Sequence, residues 1–251
     1  MKSFLALIAL LLAASVNAKG VEVSFKTLDD VTIYGDVYAL GDTPKSAPLI
    51  LLFHQGGGDA RGEYLPLASR LAGEGYILLA IDQRSGGDRF GMTNRTLAGV
   101  EGEEYSYCDA YPDLEAALQF ALDSGYTGKI AAWGSSYSAA LVFRLATEHS
   151  SDIDTVLAFS PASGEAMTGC RPEPYSEKLT QSLLVLRPDR EMEIPSVRSQ
   201  IELFAEHGHQ TYVATPGVHG SSMLNAARVE GSTENTWKVV LDFLADSFAQ
   251  Q

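Results

Sequence analysis

Basic side chains are scarce in this sequence: 18 lysines and arginines stand against 32 aspartates and glutamates, a formal net charge of −14. A surface of that sign repels phosphate backbones, which excludes nucleic acid as a partner. The acids are spread along the chain rather than gathered in a tail, so they read as a solvating surface with a mild bias against anionic substrates. Long apolar runs are missing as well. The apolar run Phe4–Ala14 has about 11 residues, short of the roughly 20 that a membrane-spanning helix needs. Lys2 precedes it, and Val16, Asn17 and Ala18 follow, which is the pattern of a secretory signal peptide over residues 1–18. The mature chain, 19–251, is expected in a periplasm or outside the cell, with no membrane association. Cysteine is limited to Cys108 and Cys170. Export makes them candidates for one disulfide, two unpaired thiols being the alternative. Repeats, low-complexity tracts and Pro/Ser-rich linkers are absent, and 45% of the residues are apolar, so one compact domain with a full core is expected rather than disorder.

What is present is an alternation of apolar runs and helical patterns. Val21–Thr27 and Val31–Tyr38 alternate like the two strands of an opening hairpin. Pro48–Phe53, Tyr76–Ile81, Lys129–Trp133, Thr155–Phe159 and Ser182–Leu186 are short continuous apolar runs, as in central strands buried on both faces. Helical patterns lie near 62–73, 110–124, 137–148 and 195–207, followed by a last strand at Gln210–Thr215 and a final helix near 234–248. The spacing predicts a mostly parallel eight-stranded α/β sheet with helices on both faces. Pro161–Gln181 is only about twenty residues, below the size of an independently folded domain, so no large lid is expected.

Within the Lys129 region the chain reads Trp133-Gly134-Ser135-Ser136-Tyr137-Ser138, strand first and helix after. A nucleophile held on a tight turn between strand and helix needs small residues two before and two after it, and Gly134 and Ser138 meet that need. The free N–H groups at the start of the helix then face any developing oxyanion. This segment resembles the nucleophile elbow of the α/β-hydrolase superfamily, with Ser in place of the second Gly. The resemblance implies that Ser136 is the nucleophile and that Ser135 and Ser138 are structural neighbours.

Upstream, His54-Gln55-Gly56-Gly57-Gly58-Asp59 follows a strand and is similar to the oxyanion loop of esterases. It is expected to supply one backbone N–H, from Gly56 or alternatively Gln55, beside that of Tyr137. His54 is read as orienting this loop, because the fold places its base after the nucleophile and the acid. Asp82 and Arg84 are read as braces between loops. Of the remaining histidines, His219 follows the last strand in a turn-rich segment and takes the role of base. His207 and His209 lack a third ligand at metal spacing. The acid is expected after Ser182–Leu186, where Asp189, Glu191 and Glu193 compete. In the family it commonly lies in a turn Gly-x-x-Asp with Pro four residues on. Pro188, Glu191 and Pro195 fall on that pattern, so Glu191 is chosen and Asp189 is the alternative.

The chain is thus identified with the compact, dienelactone-hydrolase-like and esterase branch of the superfamily. That likeness implies a Ser-His-acid ester hydrolase without cofactor or metal, acting on a small ester. A serine peptidase or amidase on short peptides is the second reading, and a non-catalytic binding protein that keeps the fold is the third. A monomer or weak homo-oligomer is expected. The loops carrying Cys108 and Cys170 should both emerge beside Ser136, where a disulfide would pin the pocket rim. Phe90, Met92, Tyr105, Tyr107 and Trp133 are candidates to line an acyl site, with ordinary core packing as the alternative. Asn94-Arg95-Thr96 matches a glycosylation acceptor.

Overall fold

A computed structural model describes residues 18–100 and 103–249. The signal-peptide reading therefore lies outside the described residues, Ala18 apart.

Eight strands form one sheet: β1 (Val21–Lys26), β2 (Thr32–Tyr38), β3 (Leu49–Phe53), β4 (Ile77–Asp82), β5 (Ile130–Ser135), β6 (Thr155–Phe159), β7 (Ser182–Pro188) and β8 (Gln210–Ala214). Their spatial order is β1-β2-β4-β3-β5-β6-β7-β8. The β1–β2 and β2–β4 pairs are antiparallel, and β4 through β8 run parallel. The helices are α1 (Ala60–Gly73), α2 (Tyr111–Asp123), α3 (Tyr137–Glu148), α4 (Glu173–Ser176), α5 (Pro195–Glu206) and α6 (Glu234–Ala249).

Side chains of a strand alternate between faces, and β3 shows what that requires of a central strand. Leu49, Leu51 and Phe53 enter one core with Leu114 and Leu118 of α2, Leu141 and Phe143 of α3, and Phe204 of α5. Ile50 and Leu52 enter the other with Leu67 and Leu71 of α1 and Trp237, Val240 and Leu244 of α6. Both faces are covered, so every residue of β3 is apolar and buried. Each such leucine contributes about 2–3 kcal/mol. The Pro161–Gln181 connection holds the four-residue α4, which local pattern did not indicate, and no further domain.

Parallel strands discharge their following loops at one edge of the sheet, where ligands of such folds bind. The loops after β3, β4, β5, β6, β7 and β8 therefore meet there. The Cys108–Cys170 disulfide joins two of them, after β4 and after β6. No helix among the described residues is long and apolar enough to cross a membrane.

Candidate active site

Ser136 stands between β5 and α3 with φ 61° and ψ −116°, a left-handed conformation that L-residues rarely adopt. Its backbone is held on both sides: its N–H donates to Phe159 O at 2.8 Å, and its carbonyl accepts from Ala162 N at 3.0 Å. The turn is so tight that a Cβ on Gly134 would sit 2.4 Å from Ser138 O, which is why only glycine fits there. At the other small position a hydroxyl is accommodated because it has partners. Ser138 Oγ donates to His54 O at 2.6 Å and accepts from Gln83 Nε2 at 2.9 Å. The Ser136 side chain is half-buried at the open edge of the sheet.

In the loop after β3, the Gln55 N–H donates to Glu63 Oε2 at 2.8 Å and is thereby committed. This removes Gln55 from the two alternatives for an oxyanion donor. Gly56 N–H has no hydrogen-bond partner among the described residues. Tyr137 is the first residue of α3, where helix geometry leaves the N–H without an intrahelical acceptor. Glu63 is fully buried in the first turn of α1 and also accepts from Gln55 Nε2 at 3.2 Å and Ser135 Oγ at 2.6 Å. Burial pushes its carboxyl above the usual range, against the hydrogen bonds from Ser135 and Gln55. His54 is buried, with Nδ1 donating to Gln55 O at 3.0 Å and Nε2 accepting from Gln83 N at 2.9 Å, so neither nitrogen is left for proton transfer.

The two residues after His219 tie the loop after β8 to the loop after β6 and to the serine turn. Gly220 N donates to Ser160 Oγ at 3.1 Å and Ser221 N to Ser135 Oγ at 2.9 Å. Gly220 has φ 67°, and a Cβ there would lie 2.3 Å from Ser135 Oγ, so glycine is required for the approach. His219 Nδ1 donates to Glu191 Oε1 at 2.5 Å. Glu191 lies in the short 3-10 turn Asp189–Glu193 after β7. Burial opposes its ionisation, but the hydrogen bond and charge of His219 and those of Arg187 outweigh it and hold the carboxyl below its usual range. Asp189 points elsewhere: it is exposed and accepts from Arg190 N at 2.8 Å. Ser136 Oγ and His219 Nε2 have no hydrogen-bond partner among the described residues; such bonds commonly close only with substrate bound.

Other residues take structural places. Arg84 bridges Asp113, at 2.8 Å, and Asp29, while Asp82 accepts from Ala60 N at 2.8 Å and Arg95 Nε at 2.6 Å. His207 and His209 both engage Ser176, through its hydroxyl and its carbonyl. Of the two readings for Trp133 the structure takes core packing: it is buried, stacked on Phe159 and donates Nε1 to Ser221 Oγ. Tyr107, next to the disulfide, stacks on Tyr137 with ring centroids 4.6 Å apart and lies against Gly56. Asn94 is buried and spends its amide on Gln83 O and Leu97 N, which removes it as a glycosylation acceptor in the folded chain. No cluster of metal-ligating side chains occurs among the described residues.

The strand, strained serine turn and helix on a mostly parallel eight-stranded sheet define an α/β-hydrolase. The chain belongs to the serine aminopeptidase S33 family, whose model matches residues 44–226. It is a serine hydrolase. No curated protein sequence matches it. Among solved structures it resembles an esterase of Pyrococcus furiosus, at 18% identity and TM-score 0.68 over 92% of each chain. It resembles Est1E from Butyrivibrio proteoclasticus, solved with ferulic acid bound, at 15% identity and TM-score 0.69, over 91% of this chain and all of that one. It also resembles an acylaminoacyl peptidase of Pyrococcus horikoshii, at 15% identity and TM-score 0.66. There it covers 94% of its own length and only 42% of the peptidase. At these identities the likeness is one of fold.

Proposed function

We propose that the protein is an exported carboxylic-ester hydrolase of small substrates that works through an acyl-enzyme on Ser136. The reading rests on one observation above others: the His219–Glu191 hydrogen bond stands on a loop tied to the turn that carries Ser136. Ser136 Oγ attacks the ester carbonyl carbon while His219 Nε2 takes its proton. The oxyanion accepts from the N–H groups of Gly56 and Tyr137, each worth about 3–4 kcal/mol in such sites. Collapse expels the alcohol with the proton from His219. Water, deprotonated by His219, then attacks the acyl carbon and frees the acid and Ser136. Glu191 fixes the Nδ1–H tautomer and stabilises the imidazolium. Export is supported by the leader-like residues 1–18, with 19–251 as the catalytic domain, and by the Cys108–Cys170 disulfide.

Cleavage of short peptides is the second reading, carried by the family's description as serine aminopeptidases. The match to the Pyrococcus furiosus esterase, over 92% of each chain, favours the ester. The test compares p-nitrophenyl butyrate with an aminoacyl p-nitroanilide on wild type, Ser136→Ala and Asp189→Asn. Ser136→Ala should lose at least about 10³-fold in kcat/KM, and Asp189→Asn should stay within about twofold. Equal rates for wild type and Ser136→Ala overturn the assignment, and a preference for the anilide moves it to the peptidase.

A further inference from the structure

Behind the Glu191 carboxylate lies a buried cation that the reaction as written does not use. Arg187, the penultimate residue of β7, is 3% exposed. Its Nη1 donates to Glu191 Oε2 at 2.8 Å, and its Nη2 donates to Pro161 O and to Gln200 Oε1. Gln200 in turn donates Nε2 to Glu173 Oε1 at 3.0 Å. The guanidinium is therefore held from the loop after β6 and from α5, with α4 behind it. Among the described residues, only its Nε is left without a partner. The charged or titratable groups facing this cluster are Arg187, Glu191 and His219, with Glu173 beyond Gln200.

We propose that Arg187 is a positioning residue for the hydrolysis: by occupying Glu191 Oε2 it leaves Oε1 as the oxygen that His219 meets, which fixes the carboxylate rotamer and the histidine tautomer. This rests on the Ser136, His219 and Glu191 reading above. A glutamate arm has one more rotatable bond than an aspartate and needs a second anchor to present one oxygen reproducibly. Arg187 supplies it through a planar fork that lysine cannot copy. When His219 is protonated, two cations share one carboxylate, and a neutral residue at position 187 removes one of them.

This role gives signatures that a merely structural ion pair lacks. In Glu191→Gln one amide oxygen must serve two donors, Arg187 Nη1–H and His219 Nδ1–H. The buried cation claims the oxygen, and the amide NH2 turns to Nδ1 and forces its proton to Nε2, where the ring no longer acts as a base. Removing Arg187 frees the amide to flip. The double variant Arg187→Met/Glu191→Gln should therefore be faster than Glu191→Gln alone, whereas independent losses would multiply and show no coupling.

The experiment measures p-nitrophenyl butyrate hydrolysis between about pH 5 and 9, with circular dichroism melts as the check on folding. Arg187→Met should lower kcat about 10–100-fold with KM within about threefold, the range typical of removing a group that orients a ligand. The acid limb of kcat/KM should move to higher pH because a neighbouring positive charge is gone. Arg187→Lys should return that limb towards wild type while recovering only part of kcat. Gln200→Leu, which removes one brace without emptying the site, should cost about 3–10-fold in kcat and carries the test if the methionine variant does not fold. A folded Arg187→Met with wild-type kcat and acid limb overturns the proposal, as does a double variant as slow as the product of the single losses. A wild-type rate for Glu191→Gln instead overturns the reading on which the proposal rests.

Discussion

Glu63 gives the sharpest test of what holds the site together, because its carboxyl is buried, multiply bonded and shifted in its titration. It receives Gln55 N–H, Gln55 Nε2–H and Ser135 Oγ–H at 2.8, 3.2 and 2.6 Å. Glu63→Leu leaves at least two of these donors buried without a partner, at about 1–3 kcal/mol each, partly offset by no longer burying a carboxyl. A net loss of about 3 kcal/mol is expected. Glu63→Gln keeps an oxygen for Gln55 N–H and loses an acceptor elsewhere, so about 1 kcal/mol is expected at acid pH. The pH dependence follows from burial raising the folded-state pKa above the ordinary 4.5. The folded chain holds a proton that the unfolded chain releases. The resulting stability is fully present below 4.5 and is lost as pH rises through the folded pKa. Glutamine does not titrate, so the advantage of wild type over Glu63→Gln should shrink as pH rises above 4.5. Urea midpoints at constant m, with the disulfide intact, measure both effects. A wild-type-minus-Gln difference that stays flat with pH would refute the titration argument, and a Glu63→Leu protein within about 0.5 kcal/mol of wild type would refute the hydrogen-bond argument.

Two further outcomes follow from the backbone and the cross-link. Ser136 adopts its φ of 61° at a cost of about 1–3 kcal/mol that glycine does not incur, so Ser136→Gly should raise the urea midpoint and Ser136→Ala should not, and both are expected to be inactive if Ser136 is the nucleophile proposed above. A drop in midpoint for the glycine variant would show that the turn is unstrained. Cys108 and Cys170 are separated by 62 residues, a closure worth about 4 kcal/mol in chain entropy, and Cys108→Ser/Cys170→Ser should lose stability on that scale. Because Tyr107, beside Cys108, lies against Gly56, the same variant should also lose kcat; unchanged kinetics would mean that the disulfide does not fix the rim.

Much of this architecture is legible because each central strand is buried on both faces and reads as an unbroken apolar run. β3, β4 and β6 begin and end within a residue or so of the runs that announce them. The serine turn is legible for a different reason, since steric need at Gly134 and Ser138 writes small residues into fixed positions. Glu63 is not legible in that way. In the first turn of α1 an acid looks like a favourable surface charge near the helix N-terminus, and its partners are 8 and 72 residues away. A helical period was nonetheless available: Glu63 shares its stripe with Leu67 and Leu71, both buried. Arg187 follows the same logic on a strand. β7 runs on to Pro188 rather than stopping at Leu186, and alternation puts Arg187 on the face of Leu183 and Val185, which enter the core. Trp133 admits two readings in sequence, site lining or core packing, and burial decides for the core because β5 is central and leaves neither face open.

Glu63 and the pairs Arg84–Asp113 and Arg187–Glu191 lie at the carboxyl edge of the sheet, the edge from which the loops carrying Ser136 and His219 also leave. Stability alone does not account for them, since apolar replacements of buried ion pairs are often neutral or stabilising. Their value lies in what they join. Glu63 ties the loop after β3 to the serine turn, and Ser135 passes that tie on to Ser221. Arg84 ties the loop after β4 to α2 and to the β1–β2 turn. Arg187 ties the acid-bearing turn to the loop after β6 and to α5. Each joins segments that come from different strands and have no covalent reason to hold a fixed distance. Apolar contacts would hold these loops near one another, but they are tolerant of sliding, whereas a hydrogen bond to a buried charge is satisfied only within a narrow range of distance and angle. Loops that leave the ends of separate strands need that second kind of contact to keep a fixed spacing, and Glu63, Arg84 and Arg187 supply it.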